Sequence, residues 1–337
     1  MKNETRRDFL KQLGIGAGIA SIGPMAAAEK PIQGFEDTDS NTAKKVWTPK
    51  SDRKIRVGIV GYGVCSFGAA FSFQHHPNVE VAAVSDLQPE RLKLLSEVCK
   101  CPKTYPSLEE LVKDDSLEAV FVATDAPSHA DHCMKVMNHG KHVACAVPAT
   151  YGSLEEADQL LETVKRTGMN YMLFETSCYR DDLYGMRKIY EMGDFGRILY
   201  SEGEYYHFME KPIDSFRGWR IGMPPQWYPT HSNAYLNGVT GESFTEVSCM
   251  GIPSSIDHLL PENNRYKNPF GTEVALFRTS GGGMSRMAVS WDTPGYHGEV
   301  GRVRGELGAM RDIKFDGKSQ HSAESLAKPP LPPGVEP

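Results

Sequence analysis

Gly61 and Gly63 follow directly on the apolar run Ile55-Arg56-Val57-Gly58-Ile59-Val60, and Asp86 closes the next such run, Val79-Glu80-Val81-Ala82-Ala83-Val84-Ser85. A strand, a glycine turn, a helix and a second strand ending in an acid make a dinucleotide-binding unit. Gly61 permits the tight turn. Gly63 lets backbone N–H groups at Tyr62, Val64 and Cys65 come close to a pyrophosphate, and a helix over about 64–74 points its positive end at that anion. Ser66, a small residue, holds the third position of the fingerprint. Asp86 lies 23 residues after Gly63, where a carboxylate accepts from the hydroxyls of the adenosine ribose. Its charge repels a 2′-phosphate, so the expected cofactor is NAD rather than NADP. A second set of residues can move protons. His231 is the first candidate, because an imidazole takes up and returns a proton near neutral pH. Tyr179 and His207 are the others.

The elements that must position these groups alternate along the first half. Helices are expected over 89–98, from the Ser107 cap through Leu111 and Val112, from Pro127 to Gly140, and over 154–167. Strands are expected at Thr104-Tyr105, 117–123, 141–145 and 170–174. That alternation specifies a doubly wound parallel sheet of the Rossmann type, an α/β domain over 53–175. The pattern then changes. A helix over 182–192 stops at Gly193, and strands at 197–207, 270–279, 283–291 and 301–307 suit an open, mostly antiparallel sheet. Residues 176–337 are therefore expected to form an α+β domain for substrate binding and oligomerisation, with a further C-terminal segment following the proline-rich tail. The stretch 210–231, rich in Trp, Pro and Arg, reads as a loop over a site.

At the N-terminus, Arg6-Arg7-Asp8-Phe9-Leu10-Lys11 precedes a weakly apolar, Gly/Ala-rich segment and then Ala26-Ala27-Ala28. Those parts in that order describe a twin-arginine signal peptide over 1–28, with export to the periplasm or beyond after folding in the cytoplasm. A polar linker over 29–52 follows, in which Trp47 is expected to pack on the domain. The net charge of −6 and the lack of a basic run beyond the signal argue against nucleic acid as a partner. No apolar stretch is long enough to insert stably in a bilayer. The seven cysteines are an odd number without scaffold spacing and read as free thiols. The pairs His129/His132 and His139/His142 and the run Cys99-Lys100-Cys101 lack accompanying ligands, so no metal is expected.

The chain from Lys54 to past Trp291 resembles the Gfo/Idh/MocA family of sugar and cyclitol oxidoreductases. The resemblance rests on Ala119-Val120-Phe121-Val122-Ala123-Thr124, His129, Gly140-Lys141-His142-Val143 and Cys145-Ala146-Val147-Pro148. It implies that Thr124, Asp125, Val147 and Pro148 face the cofactor, and that His129 does so or packs the start of its helix. It implies a carbohydrate substrate and a homo-oligomer joined through the open sheet. The family's Glu-Lys-Pro, whose lysine supports the substrate hydroxyl, is Ala146-Val147-Pro148 here, and Val147 cannot tune an alcohol's pKa. The NAD-dependent α-N-acetylgalactosaminidases are a more similar branch, since they also carry valine there. That likeness adds Tyr171-Met172-Leu173, Cys178-Tyr179-Arg180, Phe195-Gly196, Glu202-Gly203, Tyr206-His207 and Tyr228-Pro229-Thr230-His231, while the branch's glutamate is replaced by Ala146. In that branch a ring hydroxyl is oxidised transiently by bound NAD, the glycosidic oxygen is eliminated, water adds, and the same cofactor reduces the ketone. An exported enzyme has no NAD pool to draw on, so a cofactor loaded before export and cycled in place fits the signal sequence.

On that resemblance His231 faces the nicotinamide, and a solvated loop histidine is its alternative. Tyr179 is an acid or base if Arg180 or another cation lowers its pKa, or else it caps the seam between domains. His207 faces the cleft or packs. Tyr228 hydrogen-bonds sugar hydroxyls, Trp219 or Trp227 stacks on a sugar face, and Arg217 and Arg220 hold an acidic or N-acetyl group or remain solvated. Three readings stay open: glycoside cleavage through transient oxidation, a conventional sugar oxidoreductase, and a non-catalytic sugar or nucleotide binder.

Overall fold

The computed structural model describes residues 48–49, 51–295, 298–311, 314–317, 328, 330–333 and 335. The expected signal peptide, Trp47, most of the linker and part of the proline-rich tail lie outside the described residues.

Six parallel strands form the first sheet: β1 Ile55–Val60, β2 Val79–Ser85, β3 Thr104–Tyr105, β4 Ala119–Val122, β5 His142–Cys145 and β6 Tyr171–Leu173, in the order β3-β2-β1-β4-β5-β6. The order reverses at β1, so the crevice at the carboxyl ends of β1 and β4 is the topological switch point. β4 reads Ala-Val-Phe-Val and its last three residues are fully buried, because helices cover both faces of a parallel sheet. Helix Leu154–Thr167 runs from the Ser153 cap, whose Oγ accepts from Glu156 N, to Gly168 at φ 68°, matching its expected bounds.

The helix expected over 64–74 is interrupted. A single turn, Phe67–Ala70, and a 3-10 turn, Phe73–His75, are separated by Ser72 at φ 56°. The break lets both Phe71 and Phe73 pack on Phe121 and Phe174, with ring centroids 5.0–5.5 Å apart. Burial of four aromatic rings outweighs the continuity of one short helix.

Seven strands form the second sheet: β7 Ile198–Tyr206, β8 Phe244–Pro253, β9 Phe270–Thr279, β10 Met284–Ser290, β11 Gly298–Gly305, β12 Gly308–Arg311 and β13 Lys314–Gly317. All pairings are antiparallel except β7 with β10. One face is covered by helices Asp181–Glu191 and Thr230–Thr240, which bury Leu183, Met186, Ile189 and Tyr235 against Ile198 and Val303. The helix Thr230–Thr240 crosses β7 at Gly203, where a Cβ would stand 2.1 Å from Ser232 O. Only glycine admits that crossing, and it fixes the first turn of the helix, with His231, over the sheet end. Helix Thr230–Thr240 and strands β8, β12 and β13 have no counterpart in the sequence reading. β8 is exposed along most of its length, with Val247 64%, Met250 78% and Ile252 57% exposed.

Candidate active site

The cavity opens at the switch point. Gly61, Gly63, Val64, Cys65 and Ser66 form one wall; Asp86, Gln88 and Arg91 close the end beyond β2; Thr124, Asp125, His129, Ala146 and Val147 form the opposite end; Ser215, Phe216, Trp219 and Arg220 reach over from the second half of the chain. Gly61 sits at φ 99°, and a Cβ there would lie 2.4 Å from Ala123 O. At Gly63 the reverse holds, since a Cβ would meet nothing nearer than Arg91 Nη1 at 4.0 Å. The backbone is bare there and turned toward open space, as approach of a pyrophosphate requires. Close packing of helix on strand falls to Gly68, whose Cβ would meet Gly61 O at 2.4 Å. Ser66 instead adopts φ 52° before the single helical turn.

Asp86 Oδ2 accepts from Tyr62 N at 2.7 Å and Oδ1 from Gln88 N at 2.8 Å. The two bonds hold the carboxylate at the cavity wall. At the other end, Thr124 Oγ1 bonds His132 Nδ1 at 2.9 Å, and His129 reaches Pro148 O at 2.7 Å and Thr124 O at 3.2 Å. His129 is thereby a brace between the ends of β4 and β5. The Val147–Pro148 peptide is cis.

Arg220 crosses the cavity. It is 8% exposed, its guanidinium lies 4.2 Å over the Trp219 ring and 5.6 Å from the Tyr228 ring, and Nη2 contacts Cys65 Sγ at 3.6 Å. No carboxylate lies within ion-pair distance among the described residues, and Nε is buried without a partner. A buried cation with no counter-charge, set against a glycine loop, suits an anion. The donor set therefore fits a dinucleotide.

Tyr228 is buried behind Arg220, with its hydroxyl 3.4 Å from Val147 O. His231 lies one layer further back, 6% exposed, against the rings of Tyr205 and Tyr228. Its Nδ1 is 2.7 Å from Glu175 Oε1, 3.3 Å from Ser177 Oγ and 3.7 Å from Glu299 Oε1. Burial pushes the imidazole pKa down, but Glu175 and then Glu299 outweigh it and hold His231 above its ordinary value. Burial likewise opposes ionisation of Glu175, yet His231 and Ser177 N keep its pKa low. Glu175 was missed by the sequence reading. The available signal was an acid set directly after the last parallel strand, where active-site groups collect.

The structure brings Gly61, Gly63, Val64, Cys65, Asp86, Thr124, Asp125, His129, Val147, Trp219 and Arg220 onto one cavity, with Tyr62, Pro148, Tyr228 and His231 directly behind it. Other candidates fall elsewhere. Arg217 is exposed, lies over its neighbour Phe216, and uses its carbonyl to accept from Arg265. Trp227 packs edge-on against Tyr151 and Tyr266 and over Gly152. His207 bonds Tyr205 Oη at 3.1 Å beyond the end of β7. Tyr179 is 50% exposed, and burial with Cys178 raises its pKa against the pull of Arg187. The lowering expected from Arg180 does not occur, because that guanidinium is turned to Asp182 at 3.5 Å and Glu299 at 3.6 Å. The paired histidines diverge, with His132 on Thr124 and His142 accepting from Asn170 N.

Residues 55–174 match the family described as oxidoreductase family, NAD-binding Rossmann fold (Gfo/Idh/MocA). A glycosyl hydrolase family 109 protein of Shewanella pealeana is 30% identical over 277 residues, covering 74% of this chain and 59% of that protein. Another from Bacteroides thetaiotaomicron is 34% identical over 174 residues, covering 48% of this chain and 36% of that one. The chain thus spans about 60% of the length of the first relatives it matches. Among solved structures, the WlbA dehydrogenase of Bordetella pertussis in complex with NADH and UDP-GlcNAcA aligns at TM-score 0.64 and 21% identity, covering 81% of this chain and 80% of that one. A probable dehydrogenase of Thermotoga maritima aligns at TM-score 0.62 and 18% identity, covering 81% and 85%. Both share the fold. Residues 55–174 match the NAD-binding Rossmann-fold domain of the Gfo/Idh/MocA oxidoreductase family, within a chain similar to the glycosyl hydrolase family 109 proteins.

Proposed function

We propose that this chain is an enzyme that keeps its NAD bound and uses it to open a glycosidic bond by transient oxidation of a sugar hydroxyl. The observation that carries the reading is the placement of Tyr228 against the Val147 end of a dinucleotide cavity, with His231 one layer behind it and Arg220 spanning the seam. Bound NAD supplies a site that accepts a hydride from a sugar carbon and returns it. The chain's own residues supply the rest. Gly61 to Cys65 and Arg220 hold the anionic centre of the cofactor, Asp86 selects an unphosphorylated ribose, and Thr124, Asp125, His129, Val147 and Pro148 shape the far end. Trp219 gives the sugar an aromatic wall, and Tyr228 behind Arg220 excludes water. His231 holds and returns the proton of the reacting hydroxyl, because its Nε2 has no hydrogen-bond partner among the described residues while Nδ1 is engaged. Apolar Val147 leaves that task to His231 alone. The family 109 name of the relatives supports glycoside cleavage over net dehydrogenation.

The test is incubation of the purified protein, without added NAD, with a panel of p-nitrophenyl glycosides. Release of p-nitrophenol with no net NADH is expected. Net NADH from free sugars would instead establish a conventional dehydrogenase, and a bound-cofactor absorbance that no sugar perturbs would sink both. The reading extends to the twin-arginine signal over 1–28 and the linker over 29–52. Arg6→Lys with Arg7→Lys should abolish export of the folded protein while leaving NAD bound in the cytoplasm. It also extends to self-association through the exposed face carrying Met250 and Ile252, checked by light scattering before and after Met250→Glu.

A further inference from the structure

Glu175 has no role in the cofactor cavity, yet it is 7% exposed and set against the proton-carrying histidine. Three oxygens surround His231 Nδ1, and each can only accept. Glu175 Oε1 is a carboxylate oxygen at 2.7 Å that also accepts from Ser177 N at 2.9 Å. Glu299 Oε1 is a carboxylate oxygen at 3.7 Å. The third, Ser177 Oγ at 3.3 Å, has its own proton committed to Glu299 Oε2 at 2.6 Å. The hydrogen between Nδ1 and these acceptors must therefore belong to the imidazole.

We propose that Glu175 is a positioning residue that fixes the Nδ1–H tautomer of His231 and so reserves Nε2 for the proton exchanged with substrate. The role of Nε2 rests on the proposed function; the tautomer does not. Both partners sit on rigid supports. Glu175 follows β6 and is pinned by the backbone of the next turn, while His231 is locked by the crossing of its helix over Gly203. The charged and titratable groups facing the ring are Glu175 beyond β6, Glu299 on β11, Tyr205 on β7, and Tyr228 and Arg220 on the loop. Arg220 alone among them opposes protonation. A carboxylate on Nδ1 raises the basicity of Nε2 and holds the ring at one angle, which a freely rotating histidine would lose.

The test is 15N NMR of the histidine ring nitrogens in the purified holoprotein between pH 5 and 9, in the wild type and in Glu175→Gln. In the wild type the neutral ring should be a single Nδ1–H tautomer. In E175Q, His231 should lose its second proton at least tenfold more readily and show both tautomers. On the p-nitrophenyl glycoside that the wild type cleaves, kcat should fall at least tenfold with KM within about twofold, and the acid limb of the pH profile should move down with the NMR titration. Glu175→Asp should recover part of both effects. An Nε2–H tautomer in the wild type overturns the proposal, and that measurement stands even if E175Q does not fold; an unchanged His231 titration in folded E175Q overturns it as well. A shifted titration with an unchanged kcat would uphold the hold of Glu175 on His231 and remove His231 from the chemistry, so the functional reading alone would fail.

Discussion

At the glycine loop the cavity wall is made by leaving side chains out, whereas the wall facing it, from Ser215 to His231, is made by packing them in. A Cβ at Gly61 would strike backbone, and one at Gly63 would enter space a ligand needs. Across the cavity Trp219, Arg220, Tyr228, Tyr205 and His231 stack one behind another, with successive ring and guanidinium separations of 4.2–6.1 Å. The first wall can be altered by adding atoms and the second by removing them. The two therefore separate effects on fold from effects on binding.

The largest effect is expected at Gly61. Gly61→Val should cost at least about 3 kcal/mol and abolish NAD retention, because backbone that cannot yield meets the new atoms at a positive φ; a melting curve equal to wild type would contradict the close approach described above. Gly63→Ala should sharpen the contrast. Its stability should stay within about 0.5 kcal/mol of wild type, while NAD affinity by calorimetry falls more than tenfold. On the packed wall, Arg220→Met should lower NAD affinity roughly 10- to 100-fold, the worth of a charge-assisted hydrogen bond or two. The cofactor-free protein should be no less stable than wild type, because methionine fills the space without an unpaired charge; a less stable apoprotein would show that the cation has a partner.

A smaller effect follows from the His231–Glu175 pair. The folded-state pKa of His231 is raised above its ordinary 6.5, so its contribution to stability is complete below that value and is lost as pH rises through the folded pKa. For Glu175 the folded pKa is lowered from 4.5, so its contribution is complete above that value and is lost as pH falls through the folded pKa. The pair is thus most stabilising between about pH 4.5 and 6.5. Chemical denaturation across pH 4–9 should show that maximum flatten in His231→Gln. The smallest effect belongs to Tyr179→Phe, which should leave NAD retention and turnover within about twofold, since the side chain lies outside the cavity.

The same contrast explains what could be read in the chain. The glycine wall was legible because each of its residues answers a local demand: a turn at Gly61, a bare backbone at Gly63, an acid at the end of β2. Parallel strands buried on both faces show as apolar runs, so the first sheet and its helix Leu154–Thr167 were placed nearly to the residue. The packed wall was legible only as residue types. Arg220, Trp219 and Tyr228 were picked out, but nothing local distinguishes Arg220 from Arg217, three residues earlier, which turns out to solvent. Helix Thr230–Thr240 contains Ser, two Asn, Gly and two Thr, weak helix formers, and forms because its face packs on β7 and β11. Glu175 was passed over because its partner lies 56 residues away. Strand β8, exposed along both faces, lacks the alternation that betrays a half-buried strand.

Under the proposed function, the guanidinium of Arg220 couples loading to folding. Without a dinucleotide, no carboxylate among the described residues pairs with that buried charge; under the proposed function an anion of the cofactor, shared between the two halves of the chain, would match it. The cofactor then acts as a late piece of the interior. Its binding free energy adds to stability as RT ln(1 + [L]/Kd), so a thousandfold excess over Kd is worth about 4 kcal/mol. Any step that discriminates between loosely and tightly folded chains would, for this protein, discriminate between empty and loaded ones.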